Sequence, residues 1–580
     1  TITPTSYAGY VFVGGEPTLV EKEWTSDKIG ENQYHYYIYQ SNNANKLTTG
    51  YQSKLSDPCR LPSYDPVKVD TQFWRDYITN NSVVESVIEA WDTKENIDAD
   101  ALDTDVSRSS DGAVRKVGRC STPFFVNVSG NSERDVLVCD ITLDNIYSRY
   151  QPHGATRTSG GLTFTPNQDY SKLIVNLIGD NRVGNVHYYS GRDNSGDLLY
   201  NNELILQGSG SLTAACVDFH VGMSDQSSGE NYNADNVMGY FANYWCSAIG
   251  GDDGSAGNSI GIVIKGGTIF AGTTQAENCT AIGGGGNDRG YVTIEGGTVT
   301  AVATTTGTAI GGGIGFNSQG GIGNVKIRGG NVFAYNHANE WEIPSAAIGS
   351  AGSWASAGGS GEVEITGGYV YAQTALGTAI GGGSSKTRQG GSAKVTISGN
   401  SYVIAKSIPA IDNYTGDEYP AGSGIGGGTG GVSNATTKDT PPAYGGAAEI
   451  IISGNPTIRT GTIGGGKTNN PEGKIGHATI DISGGDISAQ FVMAGGAGDG
   501  MITTFNMSGG TISNSDVINK EYYHIKNNGA AVYMEDGEFT MTAGTIRNCV
   551  ANMGGAVYIK KSENALRDPE FVMLGGSIED

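Results

Sequence analysis

The chain reads as an all-β protein: a right-handed parallel β-helix, a solenoid of the pectate-lyase kind, with a mixed α/β cap region at its N-terminal end. Three observations predict this. Glycine supplies 91 of the 580 residues and proline only 16, and Val, Ile and Thr alternate between the glycines, which argues for packed strands over a disordered linker. The alternation has the period of half-buried strands. A unit holding two such strands recurs roughly every 30 residues, the signature of a repeat array whose coils bury a core only against their neighbours.

The unit is clearest at Ile262–Ala271, Val292–Ala301, Val325–Ala334 and Val363–Ala372. Looser copies stand at Leu204–Ala214, Val395–Ala405, Ile450–Thr460, Ile480–Ala489 and Phe505–Asn514. Within one copy, Val292 and Ile294 face inward against outward Thr293 and Glu295, and Val299 and Ala301 face inward against Thr298 and Thr300. The glycine pair between the strands turns a corner, because glycine accepts positive φ and lets coils stack closely. A second unit, Ala-Ile-Gly, begins at Ala248, Ala281, Ala309, Ala347 and Ala379, with variants around Ile425 and Ile463. Each cycle contains both units, so one cycle is one coil, stacked on the next at about 4.8 Å.

Residues 1–119 differ in pattern. Ser82-x-x-Glu85 reads as a capping box, followed by an apolar helical face of Val83, Val84, Val87, Ile88 and Trp91, so this region is expected to cap the N-terminal end. Residues 120–203 hold less regular coils, at Leu137–Leu143 and Leu173–Asn181, and 204–515 hold the regular glycine-rich repeats. Residues 516–580 hold a variant form at Gly529–Tyr533, Ala543–Asn548, Gly554–Tyr558 and Gly575–Glu579. In these last repeats Asn514 and Asn548 occupy matching positions and are expected to stack as a hydrogen-bonded ladder. The pattern stops in mid-repeat at Asp580, which predicts more coils beyond it or a covering chain, and makes self-association through coil ends one expectation.

A formal charge of -23 excludes a nucleic-acid partner, since phosphate binding needs clustered Lys and Arg. No apolar run reaches the roughly 18 residues of a membrane helix, so direct membrane insertion is not expected. The first residue is Thr1 rather than methionine, as a removed signal peptide, a proteolytic fragment or a cloned piece would leave it. Seven cysteines without a Cys-x-x-Cys pair indicate neither a zinc site nor a complete disulfide framework. Histidines are scattered without metal-ligand spacing, and no Gly-x-Ser-x-Gly elbow stands between a strand and a helix.

The set Leu-x-Gly-x-Asn at Leu177–Asn181, Gly-Ser-Gly-Ser-Leu-Thr-Ala at Gly208–Ala214, and the repeated Ala-Ile-Gly-Gly-Gly and Val-Thr-Ile-x-Gly-Gly-Thr-Val-Thr-Ala units resembles glycine-rich repeat regions of large bacterial surface proteins. The closing Gly-Gly-Ala-Val-Tyr and Asn units resemble polymorphic outer membrane proteins and other autotransporter-like adhesin passengers. The resemblance covers about the last two-thirds of the chain. It implies a pectate-lyase-like β-helix, an extracellular address at the cell surface, and a role in adhesion or carbohydrate binding. It carries over no catalytic residue.

Three groups of side chains are candidates for chemistry. Asp252, Asp253 and Asp288, with Arg289, follow the Ala-Ile-Gly turns of successive coils; they are the best carboxylate grouping for Ca2+ and for a polysaccharide lyase or glycoside hydrolase, or else solvated loop residues. Cys246 and Cys279 each precede the Ile of an Ala-Ile-Gly unit by three residues, so they form a rung-to-rung disulfide or belong to a column of small residues that continues in Gly307, Ser345 and Gly377. Phe270, Phe333 and Tyr371 are expected to point outward as an aromatic stripe which, with Tyr369, Trp341 and Trp354, stacks against sugar rings, unless a loop or another subunit covers it. The favoured function is a non-catalytic, surface-displayed scaffold whose partner is a glycan or a host surface, with no cofactor beyond possible Ca2+. A polysaccharide-cleaving enzyme and a structural filament or stalk subunit are the alternatives.

Overall fold

The computed structural model describes the strand segments 27–28, 33–39, 106–108 and 114–116, and the strands and turns of the array between 124 and 579, apart from a number of connecting loops such as 189–200, 218–246, 252–259, 432–442 and 515–530. All described regular structure is β, with no helix among the described residues. The chain divides into two compact units, one of Thr1–Asp253 with Asn258–Glu277 and one of Gly254–Gly257 with Asn278–Asp580. Each is a parallel β-helix built from three sheets.

In the first unit the first sheet runs through Phe124–Val128, Leu162–Pro166, Val186–Tyr188 and Ser247–Gly250. The second runs through Val138–Asp144, Lys172–Ile178, Asn202–Gly208 and Ile260–Ile264, and the third through Tyr147–Ser148, Asp180–Val183, Ser211–Val217 and Thr268–Thr274. The second sheet reaches back beyond residue 120, because Gln33–Tyr39 pairs in parallel with Val138–Asp144. The expected helix at residues 82–91 lies outside the described residues.

In the second unit the Ala-Ile-Gly motif forms the first sheet, with Ile282, Ile310, Ile348, Ile380, Ile425 and Ile463 in one register. The Val-x-Ile strands form the second, through Gly290–Ile294, Gly323–Ile327, Gly361–Ile365, Ala393–Ile397 and Ala448–Ile452. The strands ending in alanine form the third, through Thr298–Ala303, Asn331–Asn336, Tyr369–Ala375 and Tyr402–Ile408. Inward Val325, Ile327, Val332 and Ala334 are fully buried, and Val363, Ile365, Val370, Ala372, Val395, Ile397, Val403 and Ala405 in the next two coils are buried as well. Each buried Val or Ile contributes on the order of 1.5–3 kcal/mol, but only once the next coil covers it.

Two glycine positions carry backbone that residues with a side chain rarely adopt. The second glycine of each corner has φ near +80°, as at Gly297 (82), Gly330 (82) and Gly368 (83). The glycine after each inward Ile of the first sheet has φ of 141 at Gly311, 140 at Gly381 and 144 at Gly426. A Cβ on Gly426 would also lie 1.7 Å from the carbonyl oxygen of Gly464 in the next coil. Steric exclusion and torsional strain therefore act together there.

Between the first and second sheets the chain doubles back, and the two arms interleave from coil to coil. The N–H of Gly383 donates to Gly359 O, that of Gly391 to Gly383 O, and that of Gly428 to Gly391 O; Gly446, Gly466 and Gly476 continue the same zigzag, every bond between 2.7 and 3.0 Å. A Cβ on Gly391 would fall 1.8 Å from Gly359 O. Where alanine stands in the run, at Ala351, its N–H is 3.4 Å from Gly321 O.

Candidate functional site

The outer face of the third sheet is where the aromatic stripe was expected, and there the structure corrects the expectation. Phe270, Phe333 and Tyr371 are only 6%, 4% and 5% exposed. In the second unit the large outward rings pack on neighbours instead of meeting solvent. Phe333 lies 5.7 Å from the ring of Tyr369, Tyr371 lies 5.6 Å from the buried ring of Tyr335, and the Lys406 ammonium sits 5.2 Å over the Tyr371 ring. The Tyr371 hydroxyl donates to Gln373 Oε1 at 2.8 Å. These rings are a second packed layer outside the core.

What remains accessible lies one column away, at the start of each third-sheet strand. Asn331, Tyr369, Tyr402, Thr457 and Asp486 stand in register there. Tyr369, half-buried, stacks on Tyr402 with ring centroids 5.4 Å apart and planes 14° from parallel, and burial, then Tyr402, raises its hydroxyl pKa. Tyr402 is 40% exposed. Its register partner in the next coil is Thr457, a short side chain. Beyond Thr457, Arg459 is pinned by Asp486, with Nη2 2.8 Å from Oδ2 and Nη1 donating to the Asp486 and Ile458 carbonyls at 3.1 Å. Tyr402, Thr457 and the Arg459–Asp486 pair thus follow one another over successive coils at this edge of the third sheet, a site termed the Tyr402 notch. Sequence reading placed Tyr369 in the site and missed Tyr402, which shares its register one coil later.

The other expected residues separate. Trp354 is 36% exposed on a loop, with the Lys386 ammonium 3.4 Å over its ring; burial lowers the Lys386 pKa. Trp341, Asp252, Asp253, Cys246 and Cys279 lie outside the described residues. Asp288 is 1% exposed, and its carbonyl accepts from Gly313 N–H at 3.0 Å at the start of the glycine zigzag. It occupies the glycine column of the doubled-back arm and is no solvated loop residue, while the adjacent Arg289 is exposed and donates to the Tyr291 hydroxyl. Among the described residues no group of three or more His, Cys, Asp or Glu is arranged to hold a metal ion. Asn514 bonds the backbone of Val550 in both directions, at 2.9 and 3.1 Å, in place of the expected pairing with Asn548.

The fold is a glycine-stacked parallel β-helix whose third sheet carries a stacked, partly exposed tyrosine pair. No family model, no curated protein and no solved structure matches the chain.

Proposed function

We propose that this chain is a non-catalytic carbohydrate-recognition scaffold displayed outside the cell, as its resemblance to bacterial surface repeats suggests. The observation that carries the reading is the Tyr402 ring, stacked nearly parallel to Tyr369 and 40% exposed. A ring already fixed by stacking loses little conformational freedom when a sugar covers it, and aromatic faces of this kind supply contact area at low entropic cost. The Thr457 hydroxyl and the Arg459–Asp486 pair stand where hydroxyls of a stacked sugar need donors and acceptors. Each comes from a strand locked to its neighbours, so the geometry does not depend on a ligand to form.

A glycan array probed with the full chain beside Tyr402→Ala tests the reading. Glycans bound by the parent are expected to lose about tenfold or more in affinity, roughly 1.4 kcal/mol, while Trp354→Ala leaves them unchanged. Equal binding by parent and Tyr402→Ala removes the notch as the recognition site.

A further inference from the structure

A second feature of the same unit lies on the outer face of the second sheet and shares no residue with the Tyr402 notch. A groove of about 620 Å³ runs along the solenoid axis there, from Ile322 to Asp481. Its floor is made of small residues, Ser360, Ser392, Ala393, Ala447 and Ala448, one or two from each of its three middle coils. Glu362, Lys394, Glu449 and Thr479 line it in strict register, and Asn324 continues the same row one coil before them. Five coils set the row's length at about 19 Å, from a spacing of about 4.8 Å.

The chemistry of the row is specific. Asn324 Nδ2 donates to Glu362 Oε2 at 3.0 Å, and Lys394 Nζ pairs with Glu449 Oε1 at 2.8 Å. The hydrogen bond and charge of Glu449, with Glu362 behind them, raise the Lys394 pKa and keep the ammonium charged. Asp481, at the far end of the groove, accepts from Asn506 Nδ2 at 2.8 Å. Lys394 is the one Lys or Arg in the lining, against three carboxylates. An acidic polymer would meet net negative charge with the only ammonium already neutralised. A chain of hydroxyls meets alternating acceptors and donors, and hydroxyls serve as both. The strand N–H and C=O groups beneath are consumed within the sheet, so they offer an extended peptide no edge to pair with.

We infer that this groove binds an extended, uncharged polysaccharide lying along the solenoid axis over the Ser and Ala floor, held by Glu362, Lys394 and Glu449. The site is separate from the Tyr402 notch and fails or stands independently of it.

Isothermal titration of the full chain with cellohexaose, xylohexaose and mannohexaose as uncharged probes, and hexagalacturonate as the acidic one, tests this. At least one uncharged hexasaccharide is expected to bind, and hexagalacturonate is not. The Glu362→Ala/Glu449→Ala double variant is expected to weaken the bound hexasaccharide tenfold or more, and Ala447→Tyr, which fills the floor and keeps every charge, to abolish it. Tyr402→Ala is expected to leave it intact. The inference is overturned if no uncharged probe binds, if hexagalacturonate binds more tightly, if Ala447→Tyr binds as the parent does, or if Tyr402→Ala removes the binding that the groove variants leave. Circular dichroism and melting curves matching the parent show that each variant is folded.

Discussion

Coils between 280 and 476 and coils between 504 and 579 repeat the same three-sheet plan and fill it in opposite ways. In the first group the stretch between first and second sheets doubles back, and glycine arms lie against each other, backbone on backbone, with no room for a Cβ at any of the glycines, Asp288 and Ala351 being the two links that carry one. In the second group the first-sheet strand Val532–Met534 turns to the second sheet through only Glu535–Gly537. There the second-sheet core enlarges from Val and Ile to Phe505, Phe539 and Phe571, stacked at 4.2 and 4.7 Å, with Met507 and Met541 beside them. The first group is held by close glycine arms, and the second keeps close glycines at its corners, as at Gly537 and Gly575, and adds a column of stacked rings. The last coil, 557–579, leaves Ile559, Met573, Leu574 and Ile578 exposed.

This contrast can be broken most severely at a stacked glycine. Gly426→Val would place a Cβ 1.7 Å from Gly464 O at a φ of 144, and is expected to cost more than about 4 kcal/mol or to prevent folding. Gly555→Ala in the terminal coils, whose Cβ would come no nearer than 3.3 Å to Cys549 O, is expected to stay within about 1 kcal/mol. Denaturant unfolding of both compares them, and equal losses would end the distinction. Next in size, Phe539→Ala removes the middle ring of the terminal stack and is expected to cost about 3–5 kcal/mol.

The smallest effect concerns Lys467, which follows the glycine arm Gly464–Gly466 and donates to Ala421 O at 3.0 Å. Burial lowers its pKa to about 8 from 10.5, so the folded state releases this proton before the unfolded state does. Stability held back by this partly buried charge at pH 7 is therefore recovered as pH rises from about 8 to 10.5. Melting curves across that window are expected to show the parent gaining on Lys467→Met; parallel curves would mean that the ammonium is solvated.

Much of this architecture was legible in the residues. The inward columns of Val325, Ile327, Val332 and Ala334 followed from alternation, and the corner glycines from their need for positive φ, because both are local constraints that each strand obeys alone. The same alternation marked Phe333 and Tyr371 as outward and was right about direction. It failed on exposure, because whether an outward ring meets water depends on Tyr335, Tyr369 and Lys406 in other strands and coils. Tyr402 was overlooked for the converse reason. It lies outside the four closest copies of the repeat, and only the register pairing Tyr369 with Tyr402 makes the two rings one platform.

By itself, then, the sequence determined the strand period, the corners, the order of the coils and the excess of negative charge, since these depend on neighbours along the chain. Tertiary structure alone decided the glycine zigzag, the closure of the Phe333 and Tyr371 face, the stacked, partly exposed ring of Tyr402 and the groove over Ser360, Ser392 and Ala447. Each of these joins strands or arms that are not neighbours along the chain, and stacking at one coil spacing is what brings such residues within reach of each other.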